Sequence, residues 1–66
     1  MKVKVVSQTP IALLTADGVA EILQISTWRV HNLARQRQLR CVLLSGRERR
    51  FRLEDVERFI AERVSA

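Results

Sequence analysis

The stretch Thr15-Ala16-Asp17-Gly18-Val19-Ala20-Glu21-Ile22-Leu23-Gln24-Ile25-Ser26-Thr27-Trp28-Arg29-Val30-His31-Asn32-Leu33-Ala34-Arg35 decides how this chain folds. Two hydroxyl residues, Thr15 and Ser26, each stand just before a helical pattern. From that position a side-chain oxygen caps the free N–H groups of a first turn. After Thr15, Val19, Ala20, Ile22 and Leu23 share one helical face, and Asp17, Glu21 and Gln24 share the other. Asp17 in the first turn suits the helix dipole, and Gly18 weakens the helix by up to about 1 kcal/mol relative to Ala. The first helix is expected over residues 16–23. After Ser26, Val30, Leu33 and Ala34 cluster on the inner side of a second helix running from Thr27 to about Arg37. Trp28, Asn32 and Arg35 fall almost opposite, flanked by Gln36, Arg29 and His31.

Gln24-Ile25-Ser26 alone separates the two helices, and a turn of three or four residues sets a second helix across the first as a helix-turn-helix. Ala20 is small where the helices cross, Ile25 plugs the turn, and Val30 and Leu33 seal the second helix onto the first. Gln24 is the misfit. Glycine is usual at this turn because it takes positive φ without strain.

Outward from this core, Cys41-Val42-Leu43-Leu44 and Arg50-Phe51-Arg52 flank Ser45-Gly46-Arg47-Glu48-Arg49, which reads as a β-hairpin with a basic tip and Phe51 facing inward. A final amphipathic helix is expected over roughly 54–64, with Val56, Phe59, Ile60 and Val64 as its inner stripe and Glu54, Asp55 and Glu57 in its first turns. Residues 1–12 read as a separate N-terminal arm. Lys2-Val3-Lys4-Val5 alternates as a short strand does, and Pro10 stops any regular element. A frayed arm, an edge strand and a basic arm lying along a phosphate backbone all stay open for it. The chain has no internal repeat and no low-complexity segment.

Charge is as segregated as hydropathy. Trp28 to Arg52 holds eight arginines, no lysine and one acid, Glu48, for a net +7, whereas the rest of the chain sums to −2. An Arg-only cluster is the footprint of a phosphate-binding surface, because a planar guanidinium clamps phosphate or the guanine edge with two hydrogen bonds. Sixty-six residues, 47% of them apolar, make one small domain with little room for a deep catalytic cleft. One cysteine and one histidine leave no internal disulfide and no conventional zinc site, and a reducing, cytoplasmic setting is expected. No apolar run approaches the roughly 18 residues that span a bilayer, and the start is too short and too charged for a signal peptide. No nucleophile–base pair, paired carboxylates or phosphate loop is visible, so neither an enzyme nor a cofactor is expected.

The ordered set Leu14-Thr15, Val19-Ala20-Glu21-Ile22-Leu23, Ile25-Ser26, Val30, Leu33, Leu39, Gly46-Arg47, Arg50-Phe51, Glu54-Asp55-Val56 and Phe59-Ile60 resembles the excisionase-like branch of the MerR-type winged-helix DNA-binding domains. The resemblance covers about Leu13 to Arg63. It implies an α+β, mostly α fold: a winged helix-turn-helix domain over residues 13–66, with two helix-turn-helix helices, a two-stranded hairpin wing and a C-terminal helix. It implies a small double-stranded DNA-binding protein. The leading expectation is a recombination directionality factor that binds cooperatively in tandem, bends attachment-site DNA and turns an integrase (a tyrosine or serine recombinase) toward excision. The alternatives are a small transcriptional regulator and a DNA-recruiting adaptor like a phage terminase small subunit. No coiled-coil extension of the MerR type follows the domain, which points to cooperation or a partner protein. The chain departs from the family pattern at Gln24, at Arg37, where a glycine often closes the recognition helix, and at Trp28, where a small or polar residue is usual.

By this resemblance the second helix enters the major groove and the wing meets the backbone or the adjacent minor groove. Asn32 and Arg35 are the best base readers, since Asn pairs with adenine and Arg with guanine in the major groove. Thr27 and Arg29, at the helix start, are candidates for phosphate or base contacts. His31 is a groove-edge or phosphate candidate, and Gln36 extends the same face. Three readings of Trp28 stay open: contact with a thymine methyl, packing against the wing, or anchoring a protein partner. Arg47, Arg49 and Arg50 are the wing contacts. Arg52 is an ion-pair candidate for Glu54 or Asp55, and Cys41 reads as a small buried hydrophobe.

Overall fold

The computed structural model describes residues 12–65. Its elements are β1 (Leu13–Leu14), α1 (Ala16–Leu23), α2 (Thr27–Arg35), β2 (Val42–Leu43), β3 (Arg49–Arg52) and α3 (Leu53–Ala61). The alternating segment at residues 2–5 and the stop at Pro10 lie outside the described residues.

Both caps sit where the sequence puts them. Thr15 is extended (φ −80°, ψ 166°), and its Oγ1 accepts from the Gly18 N–H at 3.0 Å. Ser26 is extended likewise, and its Oγ accepts from the Arg29 N–H at 3.1 Å. Each satisfies one of the N–H groups a helix start leaves free. Both helices end alike as well. α1 closes on Gln24 in the left-handed region (φ 59°, ψ 45°), and the Ile25 N–H reaches back to the Ala20 carbonyl at 3.1 Å. α2 closes on Arg37 (φ 61°), with the Arg37 N–H on the Ala34 carbonyl at 3.0 Å and the Gln38 N–H on the Leu33 carbonyl at 2.9 Å. This is the bond pattern of a Schellman cap, normally built on glycine. α2 is therefore shorter than expected. It stops at Arg35, and Arg37 takes up the glycine-like conformation although it carries a Cβ.

The sheet is antiparallel with strand order β1-β3-β2. Val42 faces Arg50 and Leu43 faces Arg49, which makes the hairpin. Leu13 faces Arg52 and Leu14 faces Phe51, which adds a third strand to the two expected. Two residues are too few to show a period-two pattern, so β1 leaves no trace in the sequence; its register is imposed by β3. The hairpin turn is closed by the Leu44 N–H on the Glu48 carbonyl at 2.8 Å. Both Gly18 and Gly46 have negative φ, so neither position demands glycine.

The core is one cluster: Ala16, Val19 and Ala20 of α1, Val30 and Ala34 of α2, then Leu39, Phe51 of β3 and Val56 of α3. Phe51, Val19, Val30 and Val56 are fully buried. Each contributes about 1.5–3 kcal/mol of transfer free energy, a large share for so small a domain. Leu14, Leu23, Ile25, Leu33, Cys41 and Phe59 pack around this centre. α3 departs from expectation. It starts at Leu53, ends at Ala61, and buries only Val56 fully from its predicted stripe. Phe59 is half-buried, Ile60 is exposed, and Val64 lies past the helix end, 72% exposed. The helix thus turns two rather than four of the expected apolar residues toward the core.

Candidate nucleic-acid interface

Seal and surface divide cleanly on α2. Val30 and Ala34 are buried and Leu33 packs beside them, which leaves Trp28, Arg29, Arg35 and Gln36 exposed and Asn32 half-buried. Trp28 is 67% exposed, so it is not a core residue, and one of its three readings falls away. Arg35 Nη1 donates to Asn32 Oδ1 at 2.8 Å. The two side chains one turn apart are thus held as a unit, and the amide oxygen keeps one lone pair and the amide nitrogen both protons. Arg29 is exposed with no side-chain partner among the described residues, and Gln36 is exposed with its Oε1 accepting from Gln38 Nε2 at 3.3 Å. Thr27 differs, because its hydroxyl donates to Asp17 Oδ1 at 2.8 Å. Asp17, expected only as a dipole partner of α1, thereby ties the start of α2 to α1.

The wing arginines split. Arg47 stands exposed at the hairpin tip. Arg49 is half-buried. Its Nη1 lies 2.8 Å from His31 Nδ1 on α2, and its Nε is buried with no protein partner. Arg50 is half-buried, and its Nη1 donates to the Arg49 carbonyl at 3.0 Å. Arg52 forms both pairs that the sequence suggested. Its Nε and Nη2 fork onto Asp55 Oδ2 and Oδ1 at 2.7 and 3.1 Å, and Nη1 lies 3.2 Å from Glu54 Oε2. Asp55 is the one buried charged residue among those described. The Arg52 hydrogen bond holds its carboxyl below the ordinary carboxylate range. Burial pushes the other way, and the charges of Arg52, Arg40 and Arg58 add to the lowering. Arg52 is correspondingly held more firmly protonated, first by that hydrogen bond and then by the charges of Asp55 and Glu54.

Arg37 and Arg40 belong to the Arg-only cluster, but the sequence reading did not number them among the contact residues. Both are exposed, and with Arg49 they line a groove of about 420 Å³ between the end of α2 and β2, floored by Ala34, Leu39, Cys41 and Leu43. The signal was present in the charge run. What was hidden is that the left-handed turn at Arg37 swings the chain so that Arg40 and the hairpin come alongside α2.

Two short helices crossed through a capped three-residue turn, with a basic outer helix face and a basic hairpin beside it, define the architecture. Residues 13–64 match the family described as helix-turn-helix domain. The chain belongs to that family. Helix-turn-helix domains bind DNA, and α2 stands as the second helix of the motif. Neither a curated protein nor a solved structure matches the chain. No helix among the described residues is long and apolar enough to cross a membrane.

Proposed function

We propose that this helix-turn-helix domain is a sequence-specific architectural factor of the excisionase type. α2 lies in the major groove with Asn32 and Arg35 on base edges, Thr27, Trp28, Arg29, His31 and Gln36 line its flanks, and the wing tip with Arg47 rests on the backbone. Copies bound in tandem bend attachment-site DNA and turn an integrase toward excision. The observation that carries the reading is the Asn32–Arg35 pair, held at 2.8 Å on the exposed face of the recognition helix. An amide and a guanidinium that partner each other away from the core are ready-made donors and acceptors for adenine and guanine. A single recognition helix reads few base pairs, which favours several copies per site and a share of indirect readout. His31, Arg49 and Arg50 spend part of their hydrogen-bonding capacity within the protein, so they rank behind Arg35 and Arg47 as contacts.

The test selects the preferred duplex from a random pool, then measures bending by circular permutation and stoichiometry by footprinting on one-, two- and three-site duplexes. Cooperative, bent multi-site complexes support the excisionase reading. A single unbent site next to a promoter, with loss of transcription on binding, would make the protein a regulator with the same surface. An absence of duplex binding at low salt, with retention of a large protein partner, would leave the adaptor reading.

A further inference from the structure

Recognition helix and wing are far apart in sequence, and a two-residue β2 gives the hairpin little stiffness of its own. Among the described residues, a single side-chain hydrogen bond joins α2 to the sheet, that between Arg49 Nη1 and His31 Nδ1 at 2.8 Å. Arginine carries only donors, so Nδ1 is the acceptor and the neutral ring carries its proton on Nε2. Arg49 has no carboxylate partner, and its Nε is buried without one of any kind. His31 is therefore the side chain that orients this guanidinium.

We propose that His31 is a positioning residue: it latches Arg49 against α2, so that the wing and the recognition helix meet DNA as one preformed surface. Of the five Arg49 N–H groups one is bonded at Nη1 and the Nε one is buried without a partner, which leaves three with no partner among the described residues, open to a phosphate. Without the latch, Arg49 is still present and still charged, but its side chain is ordered only on binding. An immobilised side chain of this kind costs about 0.5–1.5 kcal/mol, or about 2- to 12-fold in affinity. The inference rests on the DNA-binding reading but not on the excisionase role.

A double-mutant cycle tests it, with the duplex that the wild-type protein selects from a random pool as probe. His31→Leu, which removes the acceptor, is expected to weaken binding about 5-fold and to have no further effect in an Arg49→Ala background. His31→Asn restores the coupling, so that Arg49→Ala costs the same in its background as in the wild type, because its Oδ1 stands the same two bonds from Cβ as the imidazole Nδ1. Long-range proton–nitrogen spectra of the free protein show His31 protonated at Nε2 and not at Nδ1. Wild-type affinity for the duplex reports separately on DNA binding itself. An undiminished loss from His31→Leu in the Arg49→Ala background would make His31 a direct DNA contact and overturn the latch. Failure of His31→Asn to restore that coupling, with its thermal unfolding unchanged, would overturn it too.

Discussion

Arg29, Arg35, Arg37, Arg40 and Arg47 are exposed, whereas Arg49, Arg50 and Arg52 are half-buried and bonded within the protein. The first group lies on α2, its exit turn and the hairpin tip; the second lies on β3. The difference is one of position in the fold. β3 is the central strand, with β1 on one edge and β2 on the other, and its Phe51 is fully buried. Side chains on such a strand stand over neighbouring elements: Arg49 over His31 of α2, Arg52 over Asp55 of α3. Helix face and loop tip have nothing beside them. A run of like charge in sequence thus separates into an exposed set and a half-buried set, of which Arg49 reaches α2 and Arg52 reaches α3.

Removing what holds β3 in place should break the distinction altogether. Phe51→Ala is expected to cost about 3–5 kcal/mol, enough to unfold most of so small a domain, read as loss of the cooperative thermal transition by circular dichroism. Single substitutions in the exposed set should instead leave the fold alone. Arg35→Ala should lose about 1–3 kcal/mol of discrimination between the preferred duplex and single-base variants. Arg47→Ala should weaken binding to all duplexes alike and lower the log–log salt slope by about 0.9. Matched melting temperatures with these two distinct binding losses would sharpen the comparison; identical losses would erase it.

Arg37 separates charge from fold in a single residue. Arg37→Gly should relieve the left-handed backbone and raise stability by about 1 kcal/mol while weakening DNA binding in titrations. Gln24→Gly should bring a similar rise with binding unchanged. The smallest effect concerns pH. Because the Asp55 carboxyl is held below its ordinary value, its contribution to stability is fully present above the unfolded-state value and is lost as pH falls through the folded one. The melting temperature should decline on acidification below about pH 4, and Asp55→Asn should flatten that decline.

The helical half of the fold was legible because its signals are local. Thr15, Ser26 and the spacing of Val19, Ala20, Val30 and Leu33 specify both helices and the turn within one stretch, and α1 begins and ends where that pattern says. β1 was illegible for the opposite reason, since Leu13–Leu14 become a strand only by pairing with Phe51 and Arg52, far along the chain. On α2, the face bearing Asn32, Arg35 and Trp28 follows from the helical period; Trp28 and Arg35 are exposed as expected, and Asn32 is half-buried. The internal bonds of Thr27, His31 and Arg49 link different elements, and no spacing rule reaches them.

Composition and periodicity by themselves determined a small basic helix-turn-helix with a hairpin and a closing helix, because caps, helical faces and charge are properties of neighbouring residues. Only the tertiary structure decided which arginines are free, where α2 ends and how the wing is fastened. These depend on pairs such as His31 with Arg49 and Asp17 with Thr27, which meet only once the chain has packed around Phe51 and Val30.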